Sequence, residues 1–261
     1  MTLRKFLIRA VFPLGFFLLG GCATQGPATN PSTPSDHFNL SNWKIQYPGS
    51  VADPKPREMK PQGIAGFSNE FFYLDPQSKN MVFALDATAP GSTPNSPFVR
   101  SELREEIIAN DDSTNWSALD GTHELTTELK VGENTLSEDK VTVVQVHGGQ
   151  KGGFTLLRAV FEDKELVLYY KADNTKLNEK KIVVGPGFYN DYTRFNVTID
   201  KARLLVSVNG QEKLNTSIDY WNWPSYFKVG AYPQTNKPGR VSVMVRSVAA
   251  QHTLPTLIKN P

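Results

Sequence analysis

The sequence predicts an all-β protein: an antiparallel β-sandwich jelly roll with a concave groove along one sheet face. Three observations predict it. Short segments rich in β-branched and aromatic residues alternate apolar and polar side chains with period two, separated by Gly, Pro, Asn or Asp. An Asn209-Gly210 pair lies between two such segments, and this dipeptide is the strongest short hairpin signal. No segment carries a long amphipathic helical repeat. The 261 residues are 39% hydrophobic and 11% aromatic, enough for one large β-domain with a substantial core.

The chain opens on an export signal. Arg4, Lys5 and Arg9 form a positive start, and residues 11–19 are mostly apolar, interrupted by Pro13 and Gly15. The run is too short to span a bilayer. It ends in Leu19-Gly-Gly-Cys22, which resembles a bacterial lipoprotein box with Cys22 as the lipidated residue. The plainer alternative is an ordinary signal peptide with an incidental cysteine. Ala23 follows, with no aspartate, and by resemblance to known lipoproteins that favours the outer membrane. Cys22 is the only cysteine, so no intramolecular disulfide forms. Residues 23–35 are rich in Pro, Thr and Ser and read as a flexible tether. The folded domain is expected over residues 36–261. The formal charge is +2; removing the three basic leader residues leaves 2 − 3 = −1. A near-neutral mature chain argues against general nucleic-acid binding.

Within the domain, strands are expected at residues 43–47, 81–85, 123–130, 140–147, 155–161, 165–171, 194–200, 203–208 and 241–248. Residues 217–223 are expected to hold a helical turn. No internal repeat and no second linker is evident, so one sandwich accounts for the domain, read as a monomer.

Three further segments carry the chemistry: Arg100-Ser-Glu-Leu-Arg104, Gln145-Val-His147 and Tyr226-Phe-Lys-Val-Gly-Ala-Tyr-Pro-Gln234. In a strand, residues i, i+2 and i+4 share a face. Arg100, Glu102 and Arg104 therefore stand together, as do Gln145 and His147, and Tyr226, Lys228, Gly230, Tyr232 and Gln234. The opposite faces read Leu103, then Val144 and Val146, then Phe227, Val229 and Ala231, which are core residues. Taken singly, each polar row reads as a solvated strand face or an ion-pair ladder. If the three strands are neighbours, one face gathers two guanidiniums, an imidazole, a primary amide, a lysine and phenols. That set recognises a carboxylate in two-pronged fashion and moves protons near neutral pH.

The three segments, in this order, resemble the signature motifs of the alginate lyases of polysaccharide lyase family 7, and Phe38-Asn-Leu-Ser-Asn-Trp-Lys-Ile-Gln-Tyr47 resembles that family's first strand. The likeness runs from about Phe38 to Val248. Val229 stands where many members carry alanine, at a position facing the core. The resemblance implies a jelly roll with a groove and cleavage of 1,4-linked uronates by β-elimination. In that chemistry Arg100 and Gln145 neutralise the substrate carboxylate, with Arg104 nearby and Glu102 orienting the arginines. His147 is the candidate base, and Tyr232 the candidate acid. Family precedent gives Tyr232 both roles on mannuronate and makes His147 the base on guluronate. Lys228 and Gln234 are expected to bind flanking sugars, and Glu102, Arg104 and Tyr226 are expected with them as substrate-binding residues.

No cofactor and no metal is expected: His37, His123, His147 and His252 lack ligand spacing. Three alternatives stand beside the lyase. A glycoside hydrolase would need two carboxylates flanking the bond, drawn from Glu102, Glu105 and Glu106. A non-catalytic carbohydrate-binding module would need only the basic groove. A lyase for another polyuronate, such as glucuronan, would use the same clamp. Val146 is associated with members acting on mannuronate-containing chains. Residues 86–98 and 148–153 are candidate lids over the groove.

Overall fold

The structure, a computed structural model, describes residues 32–91, 97–149, 153–175, 178–186 and 191–260. The leader, Cys22 and most of the tether lie outside these, as do parts of both candidate lids. The described residues belong to one unit, Ser32–Pro261.

Among the described residues the strands are, in chain order, β1 (Trp43–Tyr47), β2 (Arg57–Met59), β3 (Phe72–Leu74), β4 (Met81–Asp86), β5 (Ser101–Glu105) and β6 (Thr114–Ser117). They continue with β7 (Thr122–Asn134), β8 (Lys140–Gly148), β9 (Thr155–Glu162), β10 (Glu165–Lys171), β11 (Glu179–Pro186) and β12 (Thr193–Asp200). The last are β13 (Arg203–Val208), β14 (Gln211–Ser217), β15 (Pro224–Pro233), β16 (Arg240–Thr253) and β17 (Leu257–Lys259). They form two antiparallel sheets. The larger has ten strands on the path β11-β10-β9-β8-β15-β5-β1-β2, with β6 pairing β15 and β17. The smaller has seven, ordered β14-β13-β12-β7-β16-β4-β3.

The two sheets face each other across one hydrophobic cluster. Leu103, Val144, Val146, Phe227 and Val229 come from the larger sheet; Leu125, Leu129, Phe195, Val243 and Val245 come from the smaller. Each is fully buried, which stabilises by roughly 1.5–3 kcal/mol per large side chain. β7 shows the simple case: its inward Leu125, Leu129 and Val131 are buried, while outward Glu124, Glu128 and Lys130 are partly exposed. β5 departs from it, being buried at all five positions. Its polar row is therefore a covered floor and not a solvated face.

The hairpin between β13 and β14 turns at Asn209 (φ 50°) and Gly210 (φ 77°), the left-handed pair that this loop requires. Residues 217–223 hold one hydrogen-bonded turn, the Trp221 N–H donating to the Ile218 carbonyl (2.8 Å), and no helix continues from it. Ile218 and Trp221 both point into the core, the Trp221 indole donates to Ser225 Oγ (2.9 Å), and Pro224 starts the next strand. The ordered fold also begins before residue 36. Thr33 caps a single turn at Pro34–Asp36, its backbone N–H donating to the Asp36 carboxylate at 2.6 Å, and Pro34 is buried. The tether's last residues thus belong to the domain, because capping and apolar contact fix them.

A candidate active site on the outer face of the larger sheet

β15 lies between β5 and β8, so the three polar segments are adjacent strands. Lys228 sits opposite Arg104 on one side and Gln145 on the other; Tyr226 sits opposite His147, and Gly230 opposite Glu102. The pairing of β15 with β8 shifts by one residue between Val229 and Tyr232, after which Tyr232 faces Thr142. Gly230 makes the close approach possible. Its φ is 154°, and a Cβ there would fall 2.5 Å from the Ser101 carbonyl oxygen and 2.6 Å from Glu102 Cα.

Glu102 is the buried hub. It accepts hydrogen bonds from Lys228 Nζ (2.5 Å), from the Gln145 amide and, at 3.5 Å, from Arg100. Glu102, Gln145 and Lys228 are at most 2% exposed. Arg100, just ahead of β5, lays its guanidinium 4.0 Å from the centre of the Tyr232 ring. Its Nε is buried and makes no hydrogen bond among the described residues. Arg104 turns away from Glu102: it donates to the Asp112 carbonyl (2.8 Å) and to Asn115 Oδ1 (3.4 Å), and stacks 3.9 Å from the Tyr226 ring centre. Glu102 therefore orients Arg100 but not Arg104.

His147 stacks on Tyr226 with centroids 5.1 Å apart, and its Nδ1 lies 2.7 Å from the Gly148 carbonyl oxygen and 3.0 Å from the Tyr226 hydroxyl. A carbonyl only accepts, so Nδ1 carries the hydrogen and Nε2 the lone pair. Burial, then the positive charges of Lys228, Arg100 and Arg104, push the imidazolium down to about 3, although part of the residue still reaches the surface. The ring is neutral at pH 7. Burial and Arg100 push the Lys228 ammonium down to about 7, against the pull of Glu102. Tyr232 is half-buried, with Phe98 edge-on at 6.5 Å. Gln234 donates to the Tyr232 carbonyl (3.2 Å) and accepts from Arg158 (3.4 Å).

The structure thus brings Arg100, Gln145, His147 and Tyr232 to one face of three adjacent strands, with Arg100 against Tyr232, and it revises two expectations. Lys228 and Glu102 are turned on each other beneath the floor, in an ion pair of 2.5 Å, and do not face flanking sugars. Arg104 braces Tyr226, whose hydroxyl is turned to His147. The sequence reading missed Asn115, which secures Arg104, and Arg158, which secures Gln234. Arg158 alternates with the buried Leu157 and Ala159, a pattern that could have marked it.

Clamped cationic donors beside a neutral base and a phenol, on the outer sheet of a jelly roll, define a polysaccharide lyase acting on acidic sugars. Residues 38–252 match the family model described as alginate lyase, and the chain belongs to that family. An alginate lyase from Photobacterium sp. (strain ATCC 43367) is 24% identical over 254 residues, covering 82% of this chain and 86% of that protein. Among solved structures, alginate lyase A1-II', a member of polysaccharide lyase family 7, superposes with a TM-score of 0.77 at 26% identity, covering 85% of this chain and 99% of that one. The same lyase with one histidine and one tyrosine substituted, in complex with substrate, matches with a TM-score of 0.75 at 26% identity, covering 85% and 98%.

Proposed function

We propose that this protein cleaves alginate by β-elimination, with the reaction centred on Arg100, Gln145, His147 and Tyr232. The convergence of these four side chains from adjacent strands carries the assignment. A uronate carboxylate lies against the partly exposed Arg100 guanidinium and against the Gln145 amide, which has a second N–H beyond the one given to Glu102. Quenching that charge makes the C5 proton acidic enough to leave. A donor of this kind is worth about 10²–10³ in kcat. His147 Nε2 or the Tyr232 phenolate takes the C5 proton. The C5–H electrons form the C4=C5 double bond as the C4–O bond breaks, and Tyr232 protonates the departing oxygen. The histidine and tyrosine substituted in the substrate complex of A1-II' support these two roles.

Hydrolysis is disfavoured by position: Glu102 is fully buried and engaged by Lys228, Gln145 and Arg100, and Glu105 faces the core. The sequence Leu19-Gly-Gly-Cys22 supports export, with a lipid anchor at Cys22 in the outer membrane and residues from 23 onward as the tether. The test is to add purified protein to alginate and follow ultraviolet absorbance from the new double bond. Wild type should produce it. Tyr232→Phe should lose turnover by at least about 10²-fold and still bind polymer. Unchanged turnover in Tyr232→Phe would overturn the assigned acid.

A further inference from the structure

The row of cross-strand neighbours through Gln145 does not stop at the reaction centre. Gln145 sits opposite Arg158 on β9, Arg158 opposite Tyr169 on β10, and Tyr169 opposite Lys181 on β11. Direct partners share a sheet face, so Arg158, Tyr169 and Lys181 continue the outer face that holds the site. Strands are about 4.8 Å apart, close to the length of one sugar ring.

Around Tyr169 stand three cations: Lys140 Nζ and Arg158 Cζ each 5.0 Å from the ring centre, and Lys181 Nζ at 5.7 Å. The hydroxyl donates to Glu162 at 2.6 Å. Glu162 is shared by Lys140 and Lys181 (2.7 Å each), and Glu179 by Arg158 (2.8 Å) and Lys171 (3.8 Å). Around the ring, Lys140, Arg158 and Lys181 thus meet two carboxylates, Glu162 and Glu179, in a partly exposed patch built on an aromatic side chain. The opposite flank carries no such excess. There Lys44 faces Glu58 (2.9 Å), Asp112 (2.7 Å) and Glu106 (3.9 Å), and Arg104 and Lys60 also act on Asp112, so cations and carboxylates balance.

We propose that Arg158, Tyr169 and Lys181 form a remote subsite for a uronate of the bound polymer, and that the chain extends from the reaction centre mainly across β9–β11 and not across β1–β2. This rests on the alginate-cleaving reading of the same face and deepens it. A polyanion is drawn to the cationic flank and finds no net attraction at the balanced Lys44 flank. The reacting bond then lies near one end of the bound stretch.

The test compares wild type with Tyr169→Ala/Lys181→Ala and with Lys181→Glu, the last at a half-exposed side chain whose reversal leaves the core untouched. Initial rates are measured on long alginate and on size-fractionated oligomers down to the shortest one cleaved. KM for the long polymer should rise about tenfold with kcat unchanged, while KM for the shortest oligomer stays at the wild-type value. Equal changes at every length, or none, would overturn the proposal. Mobility in alginate-containing gels, with each variant placed in the Tyr232→Phe background, reads the same subsite without turnover. Retardation should weaken in both variants, and wild-type retardation in both would sink the subsite. A wild-type protein that is retarded but makes no unsaturated product would instead overturn the lyase assignment alone.

Discussion

Replacing Glu102 by Gln removes one charge from the hub with almost no change of shape. Glu102 lies 2.5 Å from a Lys228 ammonium that is 2% exposed. Removing one partner of such a buried pair costs about 3–5 kcal/mol, since the other charge is left uncompensated. Lys228 has a partial escape, because its ammonium is already pushed down to about 7 in the wild type. Without Glu102 it falls further, so the folded variant sheds a proton that the unfolded chain keeps. The unfolded state then binds more protons, and stability rises with pH across that interval. The wild type gains no such slope until pH passes about 7. The variant's deficit should therefore be largest near pH 5.5, shrink by about 1 kcal/mol per pH unit towards pH 7, and level off above it. Urea unfolding at pH 5.5, 7 and 8 measures this. The same experiment on Lys228→Met and on the double variant closes a double-mutant cycle, with an expected coupling of at least about 2 kcal/mol. A loss below about 1 kcal/mol at pH 5.5 with no coupling would refute the buried pair.

Gly230→Ala should destabilise by about 1–3 kcal/mol or more, read as a lower urea midpoint, because φ is 154° and the new methyl meets the Ser101 carbonyl at 2.5 Å. His147 should leave no step near pH 6.5 in kcat/KM. Its folded-state value is lowered to about 3, so the neutral base persists as pH falls through the ordinary histidine range. A clear limb near 6.5 that vanishes in His147→Asn would show the imidazole to be more open to water.

Much of this architecture is legible in the sequence because period-two alternation is a local property. β1, β10 and β13 span the expected residues, β13 with alternating burial, and Asn209-Gly210 fixes its hairpin. The same alternation placed Arg100, Gln145, His147 and Tyr232 on one face, since a strand's pleat leaves no other choice. Depth was not legible. Nothing in Arg-Ser-Glu-Leu-Arg distinguishes a washed surface from a covered floor, so Lys228 and Glu102 looked like sugar contacts. Arg104's partners, Asp112 and Asn115, come from chain beyond β5 and bear no fixed spacing to it. β2, β3 and β17 have three residues each, too few to show a period. β11 is an edge strand whose alternation is blurred by Lys180-Lys181.

The middle strand of the site, β15, is also made after both of its neighbours, β5 and β8. β5 and β8 do not pair with each other; each meets only β15 at the centre. A nascent chain ending before residue 224 carries the guanidinium of one half and the imidazole of the other with no backbone to bridge them. Chemical competence should therefore arrive all at once, when residues 224–233 are in place, and truncations ahead of residue 224 should yield inert protein and not weakened catalysts.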